Sequence, residues 1–138
     1  MRKTFVKLSA ALSFLFLFGV TQAFADTAAV TITEPATGST VSSPVKVCMG
    51  VNAVEVEPAK KGVNKGKGHH HILVDSALPA DLSKPIGKDA THIHMGDGST
   101  CKEIKLSAGT HVIRTLFASG NHVPHNPPLT ATVVVTVK

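Results

Sequence analysis

Apolar and polar residues alternate along most of the chain in short runs punctuated by Gly, Pro, Ser and Asp, the pattern of strands that bury one face. The alternation over 29–33 (AVTIT) and 45–51 (VKVCMGV) predicts two strands separated by the turn-rich TEPATGSTVSSP. Further strands are predicted over 71–75 (HILVD), 92–95 (HIHM), 101–106 (CKEIKL), 110–118 (THVIRTLFA) and 129–137 (LTATVVVTV). A Pro- and Gly-punctuated connection, LPADLSKPIGKD, leads from the third run to the fourth. No stretch of the region after residue 25 carries a convincing amphipathic helical pattern, so the expectation is an all-β, antiparallel sandwich.

The front segment VTITEPATGSTVSSPVKV, with AGTHVIRTLFA and the closing TATVVVTVK, resembles bacterial immunoglobulin-like domains. That resemblance implies that the front segment forms the first two strands and that the last two segments pair in the second sheet. It says nothing about chemistry, because one sandwich hosts many functions.

The first residues follow a different rule. Arg2, Lys3 and Lys7 flank an apolar run from Leu8 to Val20, and Ala23, Phe24 and Ala25 form an A-x-A-like site before Asp26. This is the layout of a cleaved secretory signal peptide, too short and wrongly flanked for a transmembrane span. The expected organisation is therefore a leader over 1–25 and one immunoglobulin-like domain over 26–138, periplasmic or secreted, with no membrane span in the mature chain. Losing Arg2, Lys3 and Lys7 takes the formal charge from +5 to +2. Lys60, Lys61, Lys65 and Lys67 crowd into KKGVNKGK, which reads as a solvated loop. With no Trp or Tyr to stack on bases, nucleic acid is not an expected partner.

Cys48 and Cys101 are the only cysteines, and an oxidising compartment makes a disulfide between them the expectation. Histidine carries the chemistry. Seven of the eight histidines fall in three segments: His69, His70 and His71; His92 and His94; His122 and His125. His111 stands alone at a strand start and reads as solvated or hydrogen-bonded. On an extended segment His92 and His94 leave the same face, about 6 to 7 Å apart at Cα. Two imidazoles so placed can converge on one ion at bond lengths of about 2.0 to 2.1 Å. The pleat prevents all three members of HHH from sharing a face; His70 and His71 are favoured over His69, which lies nearest the Gly-rich loop. In GNHVPHNPP the prolines stiffen a turn around His122 and His125.

The candidate metal ligands are thus His70, His71, His92, His94, His122 and His125, with Asp75 and Asp97 as carboxylates that orient ligand rings. Copper or zinc suits an imidazole-rich set. Met49 and Met95 read as core residues. The succession GHHHILVD, KDATHIHMGDGST and GTHVIRTLFASGNHVPHNPP resembles a domain-of-unknown-function family of small exported bacterial proteins, over roughly Gly66 to the C-terminus. The resemblance implies no particular activity, substrate or cofactor.

The pattern favours a metal-binding carrier, buffer or accessory protein that works with the ion and an exported protein partner. One alternative is an envelope interaction domain whose histidines form a hydrogen-bonded network. Another is a metal-dependent enzyme, although no Gly-x-Ser-x-Gly elbow is present and no Glu lies in the histidine segments to act as a base.

Overall fold

The computed structural model describes residues 26–138; the expected leader lies outside the described residues. Nine strands follow in order: β1 (Ala29–Glu34), β2 (Thr40–Val41), β3 (Val45–Asn52), β4 (Glu55–Val56), β5 (Lys67–Val74), β6 (His92–His94), β7 (Cys101–Ile104), β8 (Gly109–Ala118) and β9 (Thr130–Val137). The one helical element among the described residues is a 3₁₀ turn at Ala59–Lys61, and none is long and apolar enough to cross a membrane.

Two sheets form the sandwich. The first has the order β1-β3-β7, and the second β2-β9-β8-β5-β4, with β6 also paired to β5. The arrangement of β1-β3-β7 opposite β9-β8-β5 matches the order of the first, second and fifth strands against the seventh, sixth and third in an immunoglobulin sandwich. The long ladders are antiparallel as expected, but β2 runs parallel to β9 and β4 parallel to β5 over two residue pairs each. Both of these short strands escape the alternation rule, because two residues are too few to show a period.

Between the sheets lie Val45, Val47 and Met49 of β3, Ile72 and Val74 of β5, Ile113 of β8, and Val133, Val135 and Val137 of β9, joined by Met95. Strand β9 alternates cleanly, with its odd-numbered valines buried and Val134 turned to solvent. Cys48 and Cys101 are direct cross-strand partners in the β3–β7 ladder and form a disulfide with a Cα separation of 4.1 Å. The bond links neighbouring strands of one sheet, unlike the bridge between sheets in antibody domains. Closing a loop across a sequence separation of 53 residues contributes about 4 kcal/mol by the chain-entropy argument.

The departure that matters for function is the length of β5. It begins at Lys67, four residues ahead of the predicted start, and takes in the whole histidine run. Gly66, at φ 71°, turns the chain into the strand. Gly68 then lets it approach β8, since a Cβ there would collide with the Ala118 carbonyl. Lys67 leaves the solvated loop to pair with Glu55 across the β4–β5 edge at 2.9 Å. From Gly68 to Val74 every residue is buried. A strand covered on both faces shows a continuous run rather than an alternation, and this one includes three imidazoles.

Candidate metal centre

The pleat of β5 divides its histidines. His70, Ile72 and Val74 face the interior of the sandwich, whereas His69, His71 and Leu73 face outward. Outward does not mean exposed here, because the connection after β5 folds back over the sheet. Leu78, Leu82 and Ile86 of that connection pack on Leu73, Leu116 and Ala118, and the remaining part of the covered face holds imidazoles.

His94 stands directly across from His71 in the β5–β6 ladder and shares its face. Its ring folds against Gly96, where an added Cβ would run into the imidazole. His122 arrives from the loop after β8 and is held by its backbone. Its amide donates to the Ser119 carbonyl at 2.8 Å, and its carbonyl accepts from the Ile86 amide at 2.9 Å. At φ 66° it sits in the left-handed region, a conformation that costs on the order of 1–3 kcal/mol for a residue with a side chain. Such strain persists where surrounding contacts impose it, and here they aim an imidazole at His69.

Four imidazoles meet as a result: His69, His71, His94 and His122, with ring centroids 4.7 to 5.8 Å apart. One potential ligand atom from each lies within 4.8 Å of all the others. Around a tetrahedral ion at bond lengths of about 2.0 to 2.1 Å, donor nitrogens stand roughly 3.3 Å apart, so the group is gathered close to coordination distance. This cluster can hold a metal ion.

Burial sets the charge state. It is the main cause that pulls His69 down to about 4 from 6.5, assisted by repulsion from His94, His122 and His70. It pulls His71 down to about 3, assisted by His69, His94, His122 and His70. His94 is lowered by burial and then by His122 and Lys88, while Asp97 acts in the opposite direction. His69, His71 and His94 are therefore neutral at physiological pH, the form in which imidazole binds metal. His69 Nε2 and His122 Nδ1 are in contact at 3.1 Å. His69 Nδ1, His71 Nδ1 and His94 Nε2 are buried with no hydrogen-bond partner among the described residues. Each such group carries a desolvation cost of about 1–3 kcal/mol unless something satisfies it.

The sequence model of a family described as domain of unknown function (DUF4399) matches residues 47–138. The chain belongs to that family. The match takes in all four clustered histidines and both cysteines, and begins in β3. No curated protein and no solved structure matches the chain.

In this DUF4399 domain the other predicted site residues lie elsewhere. His70 and His71 are neighbours in one strand and so cannot face the same way; the outward face belongs to His69 and His71, so His69 stands where His70 was expected. His70 hydrogen-bonds the Thr115 hydroxyl through Nδ1 at 3.1 Å and meets Phe117 edge-on, and burial lowers its pKa to about 4. His92 does share a face with His94, but its cross-strand partner is Leu73. It turns away, donating from Nδ1 to Asp89 at 2.9 Å, with Ser76 at 3.4 Å from Nε2. His125 donates from Nε2 to the Lys67 carbonyl at 3.1 Å and packs on Phe117, tying the Pro-rich loop to the start of β5.

Neither predicted carboxylate bonds a clustered ring. Asp75 accepts from His111 at 2.7 Å and from the Val112 amide at 2.8 Å. Asp97 closes its own turn by accepting from the Ser99 amide and hydroxyl. Met95 and Met49 are core residues. The sequence signal that would have found His69 is strand parity with His71, available once β5 is extended back through Gly68.

Proposed function

We propose that this is an exported metal-binding protein in which His69, His71, His94 and His122 hold one copper or zinc ion. The observation that carries this reading is the trio of buried imidazole nitrogens without partners inside a four-histidine cluster. A bound cation gives their lone pairs a partner and offsets the cost of burying them. The choice of metal follows from the donors. The ligand set is nitrogen only, the two cysteines are joined to each other, and Met49 and Met95 pack in the core. Such a set suits Cu(II) or Zn(II) rather than a soft-ligand Cu(I) site.

Four protein ligands around one ion make a binding centre, and the cluster has no carboxylate member to serve as a general base. Carriage or buffering of the ion, with transfer to or from an exported protein partner, fits that chemistry. The leader-like N-terminus and the disulfide support the periplasm or the exterior as the place of work.

The test is to isolate the chain without a purification tag, measure its metal content by mass spectrometry, and titrate Cu(II) and Zn(II) against thermal stability. The expected result is one ion per chain. At a free-metal concentration about 1,000 times Kd, binding stabilises by about 4 kcal/mol, a rise in Tm on the order of 15 °C. A metal-free protein indifferent to both ions would sink the proposal. The His69–His122 contact at 3.1 Å favours the second reading, a hydrogen-bonded network that orders the loops, and indifference to metal is what that reading predicts.

A further inference from the structure

The four-imidazole cluster opens on one side to a cavity of about 180 Å3, lined by His71, His94 and His122 with Ile86 and Lys88. His69 is the member of the cluster absent from that lining, and it is fully buried. An ion among the four rings would be closed off behind by His69 and would face the cavity through the frame of the other three. The cavity has room for a few waters. It is too small for a nucleotide or a sugar chain, which occupy clefts from about 300 Å3 upward.

The charge in this corner is unbalanced. A divalent ion held by neutral imidazoles keeps its full charge, and a buried uncompensated charge is costly. Among the described residues Lys88 has no carboxylate within ion-pair distance, so it adds a free cation to the same cavity. The carboxylate whose charge acts on His94 is Asp97, and its Oδ1 is engaged by Ser99. Two positive centres at a small cavity concentrate anions.

We propose that the metal centre keeps a coordination position opposite His69 for a small carboxylate or oxyanion, drawn in by Lys88. This rests on the metal-binding reading and extends it: the bound state is a ternary complex of protein, ion and anion, and the anion supplies the negative charge that the protein ligands lack. A tetragonal copper site with nitrogen donors accepts a further ligand, whereas zinc keeps an open position where only three protein ligands hold it.

The experiment uses the whole exported chain loaded with Cu(II), its copper content measured first, and azide as the probe. Azide is expected to produce a new charge-transfer absorption and an altered electron paramagnetic resonance spectrum, saturating in the millimolar range. Lys88→Ala, compared at equal copper content, is expected to weaken azide roughly five- to tenfold through loss of one nearby charge. Lys84→Ala on the same connection, whose amine pairs with Asp81, leaves azide affinity unchanged. Acetate and hydrogencarbonate are expected to displace azide. Copper-loaded protein whose spectra ignore azide overturns the open position. Equal azide affinity in Lys88→Ala overturns the role of that cation, and failure of both competitors overturns the ligand class. A chain that takes up no copper overturns this proposal at the first measurement, and one that takes up neither copper nor zinc removes the metal reading with it.

Discussion

Near the start of β8, His111 lies between the carboxylate of Asp75, the residue after β5, at 2.7 Å and the Ser107 carbonyl at 2.9 Å. Both partners accept, so both ring nitrogens donate, and the ring is stabilised as a cation; hydrogen bonds to Asp75 and Ser107 raise its pKa above 6.5. On β5, His69 and His71 lie buried among other imidazoles, and their pKa values fall to about 4 and about 3. One residue type is thus favoured as a cation beside Asp75 and as a neutral donor within β5. The difference comes from the partner: a carboxylate stabilises the proton, whereas burial among other rings expels it. A histidine-rich sequence by itself therefore does not define a metal site, and neither does a single unpartnered ring, since His70 Nε2 is also buried without a partner; the useful sign is several such imidazoles converging on one point.

The sharpest way to break this contrast is to remove one clustered ring. His71→Leu is expected to lower metal affinity by more than about 100-fold, since even the residues that merely support metal ligands are worth 10- to 100-fold. In metal-free protein the same change replaces an orphaned polar ring by an apolar one, and the expectation is equal or higher stability. Thermal melts with and without Zn(II) check both halves. If His71→Leu binds metal as the native chain does, the cluster is not the site.

Acid should separate the two environments by sign. His69 and His71 have folded-state pKa values below the unfolded 6.5, so in metal-free protein their contribution is fully present above pH 6.5 and is lost as the pH falls toward about 4. His111 has a raised folded-state pKa, so its contribution is fully present below 6.5 and is lost as the pH rises from 6.5 through the raised folded-state pKa. Denaturant melts across this range should show stability falling on the acid side. Asp75→Asn should flatten only the alkaline change; an unaltered profile in that variant would remove the Asp75–His111 pair as its cause.

A smaller effect is expected from Gly96→Ala. The added methyl meets the His94 ring, so the ring must rotate out of the cluster, weakening metal on the order of tenfold while the β-sheet circular dichroism signal stays unchanged. The smallest belongs to His92→Ala. Its ring is engaged with Asp89 and Ser76 rather than with the cluster, and metal affinity is expected to stay within about twofold of native, as read by competition with a chromogenic chelator.

Much of the sandwich could be read locally because its long strands alternate or carry β-branched runs: β1, β3, β8 and β9 fall within a residue of their predicted bounds. The start of β5 could not. Gly66 and Gly68 look like loop residues, and only the close passage of Ala118 explains a glycine inside that strand. The candidate site was legible in part. His71, His94 and His122 were among the predicted ligands, while His69, His70, His92 and His125 were sorted by their surroundings.

Residue spacing by itself determined that His92 and His94 share a face of their strand and that His69 and His71 share a face of theirs, because a strand repeats every two residues. The sequence also placed seven of the eight histidines in three segments and offered Cys48 and Cys101 as the one cysteine pair. Which rings meet was decided by tertiary structure alone. The β5–β6 register sets His94 opposite His71 and His92 opposite Leu73, and a loop more than 50 residues from His69 in sequence returns to add His122. Register and loop return are set by the burial of distant apolar residues such as Leu73, Ile86 and Leu116, and no local spacing encodes that.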